Sequence, residues 1–114
     1  MRSDHFDNVE PVAASMPGAE GAFIQWLVAE DHGAEGFYMR RIIVKQGCAV
    51  PDHAHPEEHQ IFVLTGKGTA YCEGSEAEMS PGRFLHVPGG KTHQFVNQGE
   101  EDLTFICCIN KVKK

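Results

Sequence analysis

Positive charge is scarce in this chain. Ten lysines and arginines stand against sixteen aspartates and glutamates, a formal charge of −6 with histidine neutral. A nucleic-acid surface needs clustered Lys and Arg, so this balance speaks against a nucleic-acid partner. The basic cluster "KVKK" at residues 111–114 reads as a solvated tail. Long apolar runs are missing too: Phe105–Ile109 falls far short of the ~20 residues that cross a bilayer. No charged leader with an apolar h-region opens the sequence, so neither membrane association nor export is expected.

Cysteine is sparse and poorly spaced for metal knuckles. Cys48, Cys72, Cys107 and Cys108 form no CxxC, and adjacent Cys107 and Cys108 on a strand point to opposite faces. Reduced thiols in a cytoplasmic protein are the expectation. Helical periodicity is lacking as well: every window that approaches a 3.6 pattern meets a Gly or Pro.

What remains is a series of short β-type runs. "AFIQWLVA" (22–29), "FYMRRIIVK" (37–45), "QIFVLTG" (60–66), "GTAYCEG" (68–74), "FLHVP" (84–88), "HQFVNQ" (93–98) and "LTFICCIN" (103–110) are rich in Val, Ile, Phe and Thr. Turn residues separate them, including "EDHGAEG" and "QGCAVPD". Many closely spaced strands in 114 residues predict a single all-β domain, a sandwich or barrel. Residues 1–21, with Pro11, Pro17, Gly18 and Gly21, read as an extended arm with a short edge strand, and residues 22–114 as the barrel.

Histidine is abundant by contrast. Three of the seven fall in "HAHPEEH" at 53–59. On extended chain His53 and His55 share a face, and His59 opens the next strand on the face of Ile61 and Val63. If that face looks inward, three imidazoles converge at the mouth of a barrel. His93, after the turn "PGGKT", offers a fourth. Neutral imidazole is the commonest ligand of first-row divalent ions, and several buried imidazoles without one repel each other when protonated.

The spacings resemble those of the cupins, small double-stranded β-helix (jelly-roll) barrels. Their first motif, G(X)5HXH(X)3–4E(X)6G, is met by Gly47, His53, His55 and Gly66, with His59 in place of the glutamate. The second, G(X)5PXG(X)2H(X)3N, is met throughout by Gly82, Pro88, Gly90, His93 and Asn97. The histidine replacement, within "HAHPEEHQIFVL", is similar to the four-histidine, manganese-binding subset. The resemblance implies His53, His55, His59 and His93 as ligands of Mn or Fe, with Zn, Ni and Cu as alternatives, and two open coordination positions. Gln60 occupies a longer-spacing alternative to His59, and Glu57 or Glu58 could swing onto the metal. His59 ranks ahead because it keeps the inward parity and the spacing to Gly66. A closed, structural zinc site is the inert alternative.

Other residues bear on function. Arg40 shares parity with Tyr38, Ile42 and Val44; inward, it needs an anion beside a 2+ ion, and otherwise Arg41 takes the interior or both arginines lie at an edge. Cys107 shares a face with Phe105 and is either a pocket-lining thiol or a small core residue. Trp26, Phe62 and Phe95 read as core or dimer contacts, with the cavity wall as the alternative. His5, His32 and His86 read as ordinary surface or strand histidines. "GGKT" lacks the first glycine and following helix of a phosphate loop.

By resemblance, the expected activity is that of a metal-dependent dioxygenase on a small enolisable or chelating substrate. Two rivals stand beside it: a non-redox isomerase or tautomerase of sugar acids using the metal as Lewis acid, and a non-catalytic ligand-binding barrel. The resemblance also implies a homodimer in which N-terminal strands extend the partner's sheet.

Overall fold

Strand formation follows from which side chains find cover on each face. The computed structural model describes residues 1–111, so all of the "KVKK" segment except Lys111 lies outside the described residues. Ten strands are present: β1 (Val12–Ala13), β2 (Ala22–Val28), β3 (Phe37–Val44), β4 (Ala49–His53), β5 (His59–Thr65), β6 (Gly68–Cys72), β7 (Ser75–Met79), β8 (Phe84–Val87), β9 (His93–Asn97) and β10 (Leu103–Asn110). Among the described residues only two short 3-10 turns, Phe6–Asn8 and Glu30–His32, interrupt the β pattern. The fold is the expected all-β barrel.

Two antiparallel sheets face each other. One has the order β1-β2-β3-β10-β5-β8, and the other β4-β9-β6-β7. Alternation along β5 buries His59, Ile61 and Val63 and exposes Gln60, Phe62 and Leu64, so the parity read from sequence is the observed one. Val44, Val63, Met79, Leu103 and Phe105 are fully buried between the sheets. Phe95 of the smaller sheet meets Phe105 of the larger edge to face, with ring centroids 5.4 Å apart.

Two strands differ from the sequence-based runs. The stretch "AVPD", read as part of a turn, belongs to β4, where Pro51 is tolerated because β4 is an edge strand of its sheet. The charged run "SEAEM" forms β7, the opposite edge, with Glu76 and Glu78 turned to solvent. Charged edges of this kind discourage pairing with another chain.

The arm lies against its own barrel. β1 pairs with β2, matching Val12 to Ile24 and Ala13 to Phe23. Gln25 is buried, and its amide donates to the carbonyls of Phe6 and Val9, both at 2.9 Å. Arg41 donates to Gln25 Oε1 at 2.8 Å and stacks on Phe6, so the arm covers the outer face of β2 and β3.

The two motif segments meet in space. Gly90 N–H donates to His55 O at 2.7 Å. A Cβ on Gly89 would strike the carbonyl of Pro56, so glycine there lets the "PGGKT" turn lie on the "HAHP" loop. Asn97 closes the same unit at its far end, donating to Val44 O at 2.9 Å and Glu101 O at 2.8 Å. The motif asparagine is therefore structural here.

Candidate metal centre

Four histidines converge from three strands and one loop. His53 ends β4 and His93 begins β9, and the two are cross-strand partners with ring centroids 4.3 Å apart. His55 follows in the loop, and His59 begins β5 with its ring 4.6 Å from that of His55. One potential ligand atom from each lies within 4.8 Å of all the others.

Hydrogen bonds fix which nitrogen of each ring faces the centre. His53 Nδ1 lies 2.8 Å from Pro51 O, His55 Nδ1 3.0 Å from Glu57 O, and His93 Nδ1 2.8 Å from Lys91 O. A carbonyl can only accept, so each of these Nδ1 atoms carries the proton and each Nε2 keeps a bare lone pair. His59 Nδ1 instead meets Cys107 Sγ at 2.8 Å. The Nε2 of His93 is buried without a partner among the described residues, and those of His55 and His59 face each other at 2.7 Å.

Converging lone pairs and an orphaned buried nitrogen are the donor set of a divalent cation, and the residues fit one. Electrostatics point the same way. Burial, with Arg40 and His55 adding repulsion, pushes the His59 pKa down to about 2. Burial also lowers His55 and His93. These rings stay neutral at physiological pH, the form that binds metal.

His53, His55 and His59 line a cavity of about 140 Å³. The rest of the lining is almost wholly apolar, including Met16, Ile24, Ile42, Val50, Phe95 and Phe105. Met16 and Ala14 belong to the arm, so the arm helps to build the cavity.

Arg40 is the inward arginine and Arg41 the outward one. Arg40 lines the cavity, and its guanidinium lies 5.5 Å from the Trp26 ring. Its Nη2 donates to Cys107 Sγ at 3.0 Å and lies 3.5 Å from His59 Nδ1, while its Nε is buried without a partner among the described residues. Among the described residues no carboxylate lies within ion-pair distance of it. Cys107 is fully buried and also lines the cavity; burial raises its thiol pKa, with Arg40 pulling the other way.

The alternative ligands are directed elsewhere. Gln60 is exposed on the outer face of β5. Glu57 approaches His55 on its Nδ1 side, at 3.3 Å, and Glu58 pairs with His86 at 3.0 Å. His5, His32 and His86 are exposed and stand apart from the cluster. Phe95 lines the cavity, whereas Phe62 lies on the outer face and Trp26 stacks behind Arg40. Sequence reasoning did not single out Met16, Ile24 or Val50; no motif marks an apolar cavity wall.

Comparison with known proteins gives a consistent picture. A stretch of 90 residues, 78% of this chain, is 30% identical to quercetin 2,3-dioxygenase of Bacillus subtilis (strain 168) and covers 23% of that protein. The oxalate-binding protein of Thermotoga maritima is 29% identical over 70 residues, 60% of this chain and 58% of that protein. The chain thus spans less than two thirds of either relative. Among solved structures, the polyketide cyclase RemF from Streptomyces resistomycificus superposes with a TM-score of 0.88 at 27% identity, over 96% of this chain and 79% of that one. The cupin domain profile matches residues 40–109, well over half of the chain and all four histidines. The chain belongs to the cupin family.

Proposed function

We propose that His53, His55, His59 and His93 hold one divalent ion, manganese or iron, and that the chain is a dioxygenase-type enzyme acting on a small enolisable chelator. The observation that carries this reading is the convergence of imidazole nitrogens beside a cavity that is apolar apart from Arg40, Cys107 and the histidines themselves. A bound ion would supply Lewis acidity, stabilising a chelating oxyanion such as an enolate.

The protein's own groups do the rest. Four neutral imidazoles bring no negative charge, so the ion keeps its full attraction for an anionic ligand. Arg40, with no carboxylate partner among the described residues, brings a positive charge to the same cavity and is positioned to receive an anionic oxygen. Ile42, Phe95 and Phe105 receive the apolar body of the substrate and exclude water, which strengthens both attractions. A relative named for dioxygenation of quercetin, a hydroxyketone, supports this substrate class.

A second reading keeps the substrate class and drops oxygen. The structural similarity to a polyketide cyclase favours it. The sugar-acid version has less support, because the aliphatic and phenyl groups of the lining cannot satisfy sugar hydroxyls. A third reading, ligand binding without turnover, shares the same site.

The test is turnover of a flavonol or a β-diketone by manganese- and iron-loaded protein, with and without oxygen. Oxygen uptake matching substrate loss supports the dioxygenase; equal turnover under argon supports the Lewis-acid reading. Saturable binding with no product in either gas leaves a binding module. The exposed Phe62 (50%) and Phe84 (81%) on the outer sheet support a homodimer. All four cysteines are free, in keeping with a cytoplasmic setting. Solution scattering at micromolar concentration checks the dimer, and a monomer mass would remove it.

A further inference from the structure

Three of the four histidines are oriented by backbone carbonyls two residues away, at Pro51, Glu57 and Lys91. Those contacts are local and come with the strand ends and the loop. His59 differs. It begins β5, flanked by β10 and β8, and its Nδ1 faces two side chains, the Cys107 sulfur at 2.8 Å and Arg40 Nη2 at 3.5 Å. A guanidinium only donates, so the sulfur is the one of the two that can accept from this nitrogen.

That sulfur is itself held in place. Cys107 and Arg40 are directly opposed on β10 and β3, and Trp26 is opposed to Arg40 on β2. Arg40 Nη2 donates to Cys107 Sγ at 3.0 Å, and the Trp26 ring backs the guanidinium at 5.5 Å. A row of three side chains across three strands therefore ends on the imidazole that replaces the family's glutamate.

We propose that Cys107, anchored by Arg40, is the positioning residue for His59: its sulfur accepts the Nδ1 proton of His59 and aims Nε2 at the cation. This rests on the four-histidine metal reading and assigns Cys107 a place behind a ligand rather than against substrate. With Nε2 on a metal, Nδ1 must carry the ring's proton, so a sulfur is needed there as an acceptor. Partners of this kind usually matter about 10- to 100-fold in metal affinity.

The experiment measures manganese and cobalt affinity by chelator competition, with the visible spectrum of the cobalt form, for wild type, Cys107→Val and Cys107→Ser. Valine keeps the packing and removes the acceptor; serine restores an acceptor. The expected result is about a 10- to 100-fold loss of affinity and an altered cobalt spectrum in Cys107→Val, with most of both recovered in Cys107→Ser. Melting of the metal-free proteins, run alongside, separates a general packing defect, which would not be rescued by serine. Wild-type affinity and spectrum in Cys107→Val overturn the positioning role and leave the metal site standing. A wild-type protein that binds neither ion overturns both.

Discussion

His55 Nε2 and His59 Nε2 face each other across 2.7 Å. The Nδ1 atom of His55 is hydrogen-bonded to a carbonyl, so its Nε2 carries no proton, and the pair is repulsive unless a proton or a cation stands between them. In the metal-free protein a proton on His59 Nε2 makes this contact a hydrogen bond to His55, so His55→Ala should cost the metal-free protein about 0.5–1.5 kcal/mol. The stabilisation by saturating metal, about 4 kcal/mol at a thousandfold excess over Kd, should disappear. Thermal melts with and without manganese check both halves.

His59 and Gln60 compete for the ligand role on spacing alone, but β5 turns them to opposite faces. Gln60→Ala should leave metal stoichiometry unchanged and alter stability by no more than about 0.5 kcal/mol, as at other surface positions. Loss of metal in that variant would mean that β5 is bulged and its register wrong.

Acid should destabilise the metal-free protein early. His59 has a folded pKa near 2 against an ordinary value of 6.5, and burial depresses His55 and His93 in the same direction. Below the unfolded pKa the unfolded chain takes up protons that the folded rings refuse. Stability is then complete above about pH 6.5 and falls as the pH drops below it, with a slope approaching about 1.4 kcal/mol per pH unit for His59 alone. Urea melts of chelator-treated protein between pH 8 and pH 4 measure this, and a flat profile would contradict it.

Arg40 lies at the cavity wall with no carboxylate in ion-pair distance among the described residues. Arg40→Met should weaken binding of an anionic chelating ligand by about 1.5–3 kcal/mol, the worth of a charge-assisted hydrogen bond, and spare a neutral ligand of the same shape. Calorimetry on the metal-loaded protein with a diketonate and a neutral analogue separates the two. Equal losses for both ligands would indicate a packing role against Trp26.

Much of this architecture was legible in the residues. The β runs were visible because buried strands need Val, Ile and Phe, and the ligand cluster because His53, His55, His59 and His93 keep fixed distances from turn glycines. β4 and β7 were less legible: Pro51 and the two glutamates of "SEAEM" contradict strand propensity, and only their place at sheet edges permits them. The inward side of β3 could not be chosen from sequence, since Arg40 and Arg41 are adjacent and both charged. Tertiary contacts decide it, by giving Arg41 the Gln25 amide and the Phe6 ring outside. The contacts joining Arg40, Cys107 and His59 depend on the registry of three strands distant in sequence, which no local pattern encodes.

The most direct test is the metal content of untagged protein purified without added metal or chelator, measured beside His59→Ala. Four converging imidazoles predict about one equivalent of manganese or iron per chain, lost in the variant. No bound metal in either protein, even after reconstitution with manganese, iron and zinc, would contradict a metal centre at these histidines.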